Sequence, residues 1–581
     1  MTLVKTFLNL RYLGLAVFLI ASIHAKSQPI SPLSGRTDSI SGGVGGSRLS
    51  TDPIVIVRRY KPKLAESIKW QMVPDLPTMP GDSVPVRFEP MSLSSPPIWA
   101  PKTGSLPNLP PAPPAVPHRL WWEAGIGNLW GTHAAVDYRS TLGKKIDWGL
   151  FAEQDGARGT IRTDGRTLND AISSDALMRL DGRLSLGQSS EIDAAVIHER
   201  RGRSLFGKDT LDPLFLPIDD HQIFRKWGGQ SGFRTSLRKG GWWVGGRISG
   251  YTISDQWGQN ERNIRLSADL EGKLGIGSNK LALVVDQTRF QDLIPEPPDG
   301  GVGELRHVVW LRDRMRFQLR RWEMAAGFQL VVQRTDEVSK PELFPHIEGA
   351  LPSLNHKHRV FMGITGDVER VSFDDVTRLN PFLTPNPQLK NTINRAEVFS
   401  GARGQLGAGL HYRFRASARR LDDALFILNR VDSFNRMQPV YDAATEWSVS
   451  GGLEQVWGRS WKFSSNFDYT RPKPDSLEQP WMTPTLKSTT AVQWSPTEKL
   501  SIRAEWAYLN GIFVSQVADS LGFTYRQLSD FHNINLHLTY QHRKGFDFFL
   551  RCGNLASVHY FRWFGYPTFG TQLLGGVRRT L

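Results

Sequence analysis

The sequence predicts an all-β protein, a transmembrane antiparallel β-barrel of about 22 strands that follows an extended proline-rich segment. Apolar and polar residues alternate with a period of two from Leu120 onward, as they do in strands with one apolar face. Short and long connections alternate between these segments, and the last segment ends at Leu581. These features favour a closed sheet, because a long open meander would leave two edges without partners.

The composition suits a sheet protein with aromatic residues at membrane interfaces. The 581 residues are 10% aromatic and include 19 tryptophans and 54 glycines. The single cysteine, Cys552, excludes a disulfide framework and a site built from several cysteines. The formal net charge of +15 comes from basic residues that are spread along the chain without a dense tract. This distribution predicts that nucleic acid is not a partner.

Residues 1–27 are predicted to be a cleaved signal peptide. Lys5 and Arg11 supply a basic start, and residues 12–23 form an apolar run that is too short to cross a bilayer as a helix. The small residues Ala25 and Ser27 fit cleavage after Ser27. Cleavage after Ala25 and an uncleaved anchor helix are the alternatives. No later apolar run reaches the roughly 20 residues that a membrane-spanning helix needs.

Residues 28–118 are predicted to be a proline-rich segment in the periplasm or the lumen. Prolines recur every few residues and culminate in SLPNLPPAPPAVP, which disfavours helix and strand and favours an extended spacer. A short β-branched run interrupts this segment, and it consists of Ile54, Val55, Ile56 and Val57. Such a run can add a strand to a partner protein, but an ordinary extended patch at the barrel mouth would have the same composition.

Residues 119–581 carry the barrel pattern. In NIRLSADLEGKL, for example, Ile264, Leu266 and Leu270 alternate with charged and hydroxyl side chains. The polar face of several strands carries charges at successive positions, and the candidate lumen-facing residues are Asp269, Glu271, His411, Arg413, Arg415 and His537. Two interpretations remain open for them. They form a solvated or salt-bridged wall, or they bind or select an anionic or sugar-like solute.

The connections indicate how the strands are arranged. Predicted tight turns include 186–189, 275–278 and 543–545, and predicted long loops are Gly156–Ile172, Gly202–Gln222, Phe373–Ile393, Arg471–Met482 and Gly511–Leu528. In an antiparallel meander this alternation puts the tight turns at one end and the loops at the other, which is typical of outer-membrane barrels. A water-soluble propeller is the structural alternative, but the sequence lacks the repeat of roughly 40–50 residues that it requires.

The C-terminal stretch FFLRCGNLASVHYFRWFGYPTFGTQLLGGVRRTL contains an ordered set of motifs. It has an Asn-Leu pair at 554–555, a tyrosine at 560, a Tyr-Pro pair at 566–567 and a Gly-Val-Arg run at 576–578. In these residues it resembles the end of TonB-dependent outer-membrane receptors. The family has arginine where this chain has Thr571, and phenylalanine where it has Leu581. The resemblance covers only about the last 35 residues.

The resemblance implies an outer-membrane location and assembly by the barrel-assembly machinery. The terminal signal that this machinery reads would comprise Leu573, Gly576, Val577, Arg578 and Leu581. The β-branched run at 54–57 resembles a TonB box, the extended segment that adds a strand to TonB, with an ordinary extended patch as the alternative. Receptors of this family carry a plug domain of well over a hundred residues, and residues 28–118 are too few for one. The chain therefore resembles a plug-less relative of the family.

No constellation of catalytic residues is evident. HERRG, which begins at His198, lacks the second histidine of a zinc-protease motif, and the glycines of GIGNLWG lack dinucleotide-binding spacing. The fourteen histidines show no metal-ligand spacing. We therefore predict no enzyme activity, no cofactor and no metal site.

The function implied by the resemblance is uptake or passage of a solute too large for simple porins. An open barrel of this width would leak, so the proline-rich segment or a partner is expected to close it. The alternative function is a non-transporting barrel subunit of an outer-membrane assembly or export complex. The expected partners are outer-membrane lipid, the assembly machinery, and either TonB or an outer-membrane or surface lipoprotein.

Overall fold

The computed structural model describes residues 119–581 apart from gaps at 144, 164–165, 188, 206–220, 238–240, 292–304, 335–338, 354–356, 385–386, 408, 430–435 and 518–522. The predicted signal peptide, the proline-rich segment and the run at 54–57 lie outside the described residues. The predicted boundaries of these regions therefore stay predictions.

Twenty-two strands form one antiparallel sheet: β1 (Leu120–Gly127), β2 (Thr132–Leu142), β3 (Ile146–Thr163), β4 (Arg166–Ser185), β5 (Ser190–Ser204), β6 (His221–Leu237), β7 (Trp242–Asp255), β8 (Asn260–Leu274), β9 (Gly277–Gln291), β10 (Leu305–Leu319), β11 (Trp322–Arg334), β12 (Ser339–Pro352), β13 (His358–Glu369), β14 (Thr392–Leu406), β15 (Leu410–Asn429), β16 (Met437–Trp457), β17 (Trp461–Pro474), β18 (Leu486–Thr497), β19 (Leu500–Asn510), β22 (Phe531–Arg543), β23 (Phe546–Gly553) and β26 (Gln572–Thr580). Two small hairpins and a helix lie in the loops: β20 (Phe513–Val517) with β21 (Phe523–Gln527), β24 (Phe561–Trp563) with β25 (Tyr566–Pro567), and α1 (Phe373–Leu379).

The sheet closes on itself. Each barrel strand pairs with the next one along the chain, and the last strand, β26, pairs with β1 from Trp121↔Thr580 to Gly127↔Leu574. The backbone of Leu581 continues this contact, because its N–H donates to the carbonyl of Leu120 at 2.8 Å. The predicted all-β barrel of about 22 strands is confirmed. Closure pairs the backbone N–H and C=O groups of the two edge strands, which an open meander would leave without partners.

The two ends of the barrel differ in their connections. At the end where β1 begins and β26 finishes, neighbouring strands are joined by two to five residues, such as 275–276 and 353–357. We call this end the turn side. The opposite end, the loop side, carries the long connections, of which 370–391, 511–530 and 554–571 are the longest. The predicted separation of tight turns and long loops is therefore present.

One predicted loop is wrong. We expected a long loop over Gly156–Ile172, but β3 and β4 stay paired up to Thr163↔Arg166, which leaves only residues 164–165 between them. The stretch is rich in glycine, and its apolar residues Ala157, Ile161 and Ala171 are buried, so it lacks the exposed apolar face that identifies a membrane strand. Pairing can continue without an exposed apolar face where a strand extends beyond the apolar band.

The outer face of the barrel is apolar. Outward-pointing Ile264 and Leu266 of β8 are about half exposed, whereas inward-pointing Glu261 of the same strand is fully buried. Aromatic pairs mark both borders of the apolar band. On the turn side Trp461 stacks on Trp494 at 5.5 Å, and on the loop side Trp506 lies beside Tyr508 on β19. An apolar band between aromatic girdles is the surface that a bilayer covers. Among the described residues, no helix is long and apolar enough to cross a membrane.

Candidate functional site

Residues 370–391, which connect β13 to β14, form what we call the lumen loop. The sequence interpretation treated most of it as an ordinary loop, but it contains helix α1. Ser372 starts this helix with a capping box, because its Oγ accepts from the Asp375 N–H at 3.1 Å and the Asp375 carboxylate accepts from the Ser372 N–H at 3.2 Å. A helix of two turns is marginal alone, so its stability depends on packing against the barrel.

Charged contacts hold α1 to the inner wall. Asp374 accepts from Arg201 of β5 at 3.1 Å, from Lys226 of β6 at 2.5 Å and from Arg378 of its own helix at 3.2 Å. Arg378 also forms an ion pair with Glu199 of β5. We call these five residues the Asp374 cluster. Its strand members lie on the inward-facing register of β5 and β6, so the helix lies inside the barrel at the loop side.

The electrostatic balance of this cluster favours the charged form of Asp374. Burial alone would raise the pKa of its carboxyl group. The positive charges of Arg378, Arg201 and Lys226 outweigh that effect and lower the pKa to about 2. Two partners, Arg201 and Asp374, have nearly buried side chains. Removing one charged side chain of the cluster would therefore leave the opposite charges without a partner where water cannot solvate them well, which is destabilising.

Apolar and backbone contacts extend the attachment to β6–β10. Phe373 packs against Phe224 and Phe290, with ring centroids 6.0 and 5.2 Å away. The Phe373 N–H donates to Glu261 at 2.8 Å, and Arg306 of β10 donates to the carbonyl of Val371 at 2.9 Å. Phe373 is 1% exposed, so the loop packs against this wall as tightly as a protein core.

The other end of the lumen loop is attached to β16. The Met437 N–H donates to the carbonyl of Phe382 at 2.9 Å, and the Thr384 N–H donates to the carbonyl of Met437 at 2.7 Å. The hydroxyl of Tyr441 donates to the carbonyl of Gln388 at 2.8 Å. Ten strands separate β5 from β16 in either direction around the barrel. The lumen loop therefore connects opposite walls.

Two further loop-side segments support this crossing. The indole of Trp563, in the β24–β25 hairpin, donates to the carbonyl of Leu379 at 2.9 Å, and Tyr566 stacks on Phe382 with ring centroids 3.3 Å apart. The β20–β21 hairpin is fixed to β15, because Asn429 and Ser515 exchange two hydrogen bonds of 2.7 and 2.9 Å. The loop-side part of the lumen thus contains packed protein.

A second polar network lies where the barrel closes. Glu123 of β1 forms ion pairs with Arg551 of β23 and, at 2.6 Å, with Arg578 of β26. His133 lies 3.1 Å from Glu123 and 2.7 Å from Asp155. We call this network the seam cluster. Because its members come from five strands on both sides of the closing contact, it joins the two ends of the sheet on the lumen face.

The structure places the predicted site residues on several parts of the wall. Asp269, Glu271, His411, Arg413, Arg415 and His537 all occupy inward-facing register positions. Arg415 pairs with Glu397 at 2.7 Å, Arg413 donates to Asn466 at 3.0 Å, and Arg234 lies 3.8 Å from Glu271. These contacts fit a salt-bridged wall for the individual residues. The β8, β15 and β22 groups are not brought together in one site.

The predicted terminal signal lies in and just after β26. Leu573 and Val577 point outward, Gly576 and Arg578 point inward, and Leu581 directly follows the strand. Their reading by an assembly machinery stays a prediction. The sequence interpretation missed Asp374 and Arg378. A signal for α1 exists in SFDDVTRL, where serine precedes aspartate by three residues and apolar residues follow at helical spacing.

Among the described residues, one group could offer ligands to a metal ion, and it comprises His133, Glu153 and Asp155. Both ring nitrogens of His133 already face carboxylates of the seam cluster, and Arg551 pairs with Glu123 in that cluster. In this arrangement the negative charges of Glu123 and Asp155 are met by protein cations. We therefore interpret His133 and Asp155 as members of the seam cluster, with Glu153 beside them.

Comparisons with known proteins identify similar folds. No protein-family model and no curated protein matches the sequence. Similar solved structures include the FrpB iron transporter of Neisseria meningitidis, with a TM-score of 0.61, 9% identity and coverage of 80% of this chain and 82% of that one. The ferripyoverdine receptor of Pseudomonas aeruginosa has a TM-score of 0.59 at 9% identity, covering 80% of this chain and 72% of that one. The ferric-catecholate import receptor Fiu of Escherichia coli K12 has a TM-score of 0.58 at 10% identity, covering 80% of this chain and 82% of that one. At these identities the likeness shows the fold.

Proposed function

We propose that this protein is a gated outer-membrane channel through which a large solute crosses the membrane. The observation that carries the proposal is the lumen loop, which reaches from Glu199 on β5 to Tyr441 on β16 inside a barrel of 22 strands. Barrel diameter grows with strand number, so such a barrel has a wide lumen. A segment held across that lumen supports a function in which the passage is closed until a solute or a partner moves the segment.

The regions of the chain have separate roles in this proposal. Residues 1–27 direct export, residues 28–118 lie in the periplasm or the lumen, and residues 119–581 form the barrel in the outer membrane. The β-branched run at 54–57 would add a strand to TonB, which would supply the energy to move the lumen loop. The similar folds of outer-membrane iron receptors support transport of a solute in preference to catalysis.

A non-transporting subunit of an outer-membrane complex is the second candidate function. The observation that favours it is the packing of the loop-side segments, because Val376, Met437 and Tyr441 are completely buried there. Packing of this quality is typical of a permanent core. In that case the loop would close the barrel permanently, and the outer wall and loops would bind partner proteins.

Channel recording tests the gate. The full-length protein is compared in planar lipid bilayers with a variant in which residues 372–391 are replaced by a short Gly-Ser linker. We expect brief, rare openings for the wild type and a large, steady conductance for the variant. The substitution Asp374→Asn provides a second variant with the loop intact, and heat-modifiable gel mobility checks that each barrel is folded.

The outcomes separate the two functions. Equal conductance of the wild type and both folded variants would refute the gate. Silent barrels that co-purify with other outer-membrane proteins after gentle detergent extraction would support the subunit function. Deleting residues 54–57 should abolish energised uptake if TonB acts on the chain, and should leave the conductance of the linker variant unchanged.

A further inference from the structure

A row of three arginines crosses the inner wall on the turn side. Arg359 of β13 lies directly opposite Arg403 of β14, and Arg403 lies directly opposite Arg413 of β15. We call these three residues the arginine row. Each lies within three residues of the turn-side end of its strand. Like charges at directly opposite positions are destabilising, so this register is unfavourable unless anions lie nearby.

Further arginines surround the row. Arg314 and Arg316 of β10 and Arg415 of β15 act electrostatically, together with Arg403, on Glu348 of β12. We call the six arginines the basic patch, which comprises Arg314, Arg316, Arg359, Arg403, Arg413 and Arg415. All six are partly exposed, and all occupy inward-facing register positions.

Protein carboxylates balance only part of this charge. Glu323 pairs with Arg359 and Glu397 pairs with Arg415, and Glu348 and Asp468 also interact electrostatically with arginines of the patch. Arg403, at the centre of the row, forms no ion pair or hydrogen bond with any described residue, and the six arginines face four carboxylates. The patch therefore retains an excess of positive charge beside the lumen.

Small residues next to the arginines leave room for the arginine side chains along the inner wall. Arg314 and Arg316 face Gly327 and Ala325 on the neighbouring strand β11. Arg413 faces Gly452 of β16, where an added Cβ would lie 2.8 Å from the Arg413 Nε atom. The Arg413 side chain therefore fills the space over Gly452, and all six arginines keep part of their surface exposed on the inner wall.

We infer that the basic patch binds the carboxylate or phosphate groups of a multivalent anionic solute. Guanidinium groups form charge-assisted, often bidentate hydrogen bonds with both kinds of group. Basic residues that line a pore also select anions over cations. The inference names the substrate class of the proposed channel and rests on that function for transport. Binding of the anion to the patch does not depend on transport.

Calorimetric titration of the full-length protein in detergent tests the binding. Citrate serves as the carboxylate probe and pyrophosphate as the phosphate probe, each at low salt because salt screens the interaction. Arg403→Gln should weaken binding at least about fivefold, because a charge-assisted contact is lost. Glu348→Gln should strengthen binding, because it removes a competing negative charge. The probe whose affinity responds identifies the preferred group.

Arg183→Gln is the matched control. Arg183 faces the lumen two residues from the turn-side end of β4, ten strands from β14, and lies 3.9 Å from Glu191. The substitution Arg183→Gln should leave the affinity for citrate and pyrophosphate unchanged. If neither probe binds, or if Arg183→Gln weakens binding as much as Arg403→Gln does, the basic patch is not a specific site and the inference is wrong.

The reversal potential in a potassium chloride gradient separates this inference from the proposed function. It is measured on the linker variant with and without Arg403→Gln. Anion selectivity that falls with Arg403→Gln supports both. Citrate or pyrophosphate binding by a barrel that never conducts would refute the channel and leave the anion site in place. Conductance with neither binding nor an effect of Arg403→Gln would refute the anion site alone.

Discussion

Arg578, three residues before the C-terminus, donates a hydrogen bond of 2.6 Å to Glu123 in the first strand. The ion pair thus spans the contact at which the barrel closes. Glu123 has no exposed side-chain surface and also pairs with Arg551. Its carboxylate therefore compensates two arginines that belong to the last two strands of the barrel.

Glu123→Gln should destabilise the closed barrel. The substitution leaves Arg551 and Arg578 without their shared carboxylate in a poorly solvated place, and breaking a buried pair in this way costs about 3–5 kcal/mol. The free energy of unfolding in urea measures the loss. The control is Arg420→Gln, which breaks the half-exposed pair with Asp475 and should cost less than about 1 kcal/mol. Similar losses for both variants would contradict the assignment.

Asp374→Asn should release the lumen loop. Arg201, Lys226 and Arg378 would lose their common carboxylate, and a loss of about 1.4 kcal/mol in the closed state corresponds to a tenfold shift toward the open state. We expect an increase of at least about tenfold in the open probability of single channels. An unchanged open probability in a folded barrel would show that the charged contacts do not determine closure.

The effect of Asp374→Asn should depend on pH only in strong acid. The pKa of Asp374 in the folded loop is lowered to about 2 from an ordinary value of 3.8. A lowered pKa means that the stabilisation is complete above about pH 4 and is lost as the pH falls toward 2. The ratio of open probabilities of the variant and the wild type should therefore be constant from pH 8 to about pH 5. If the ratio halved near pH 6, a group other than Asp374 would control the charge of the cluster, and the prediction would be wrong.

Phe373→Ala should loosen the lumen loop without opening the sheet. Removing a buried aromatic side chain costs about 3–5 kcal/mol, and Phe373 is 1% exposed. Limited proteolysis should then cut the chain within residues 370–391, while the heat-modifiable mobility of the barrel is retained. Phe328→Ala is the control, because Phe328 lies on the outer face and is 39% exposed. Equal resistance of the wild type and Phe373→Ala to cleavage would oppose this account of the packing.

Substitutions at adjacent positions of β8 should test the membrane-facing surface. Leu266→Arg places a charge on the lipid side at the middle of the strand, which costs about 2–4 kcal/mol. Ser267→Arg places the same residue on the lumen side and should cost far less. Folding into lipid vesicles, followed by gel mobility and denaturant titration, measures both. Equal costs would be inconsistent with lipid on one face and water on the other.

The barrel could be predicted from the sequence because its signal is local. Alternation such as that of Ile264, Leu266 and Leu270 assigns each residue to a face without reference to distant parts of the chain. The hairpin that replaced the predicted loop at 156–172 was missed because its few apolar residues are buried and give no exposed apolar face. Extension beyond the membrane removes the alternation on which the prediction depends.

The candidate site could not be predicted in the same way. Arg378 meets Glu199 only because strands far apart in the chain become neighbours of the lumen loop. The capping box of Ser372 could have indicated the helix, but no local pattern indicates that the helix lies inside the barrel. Likewise, the basic patch becomes visible only when register places Arg359, Arg403 and Arg413 side by side.

The lumen loop is covalently joined at both ends to neighbouring strands, β13 and β14. It therefore cannot dissociate from the barrel as an independent domain could, and its displacement is limited to a swing about these two attachments. Reclosure is then an intramolecular event, with a high effective concentration of the loop near its binding surface on β5 and β6. A channel built in this way closes again at a rate that does not depend on how many copies the membrane contains.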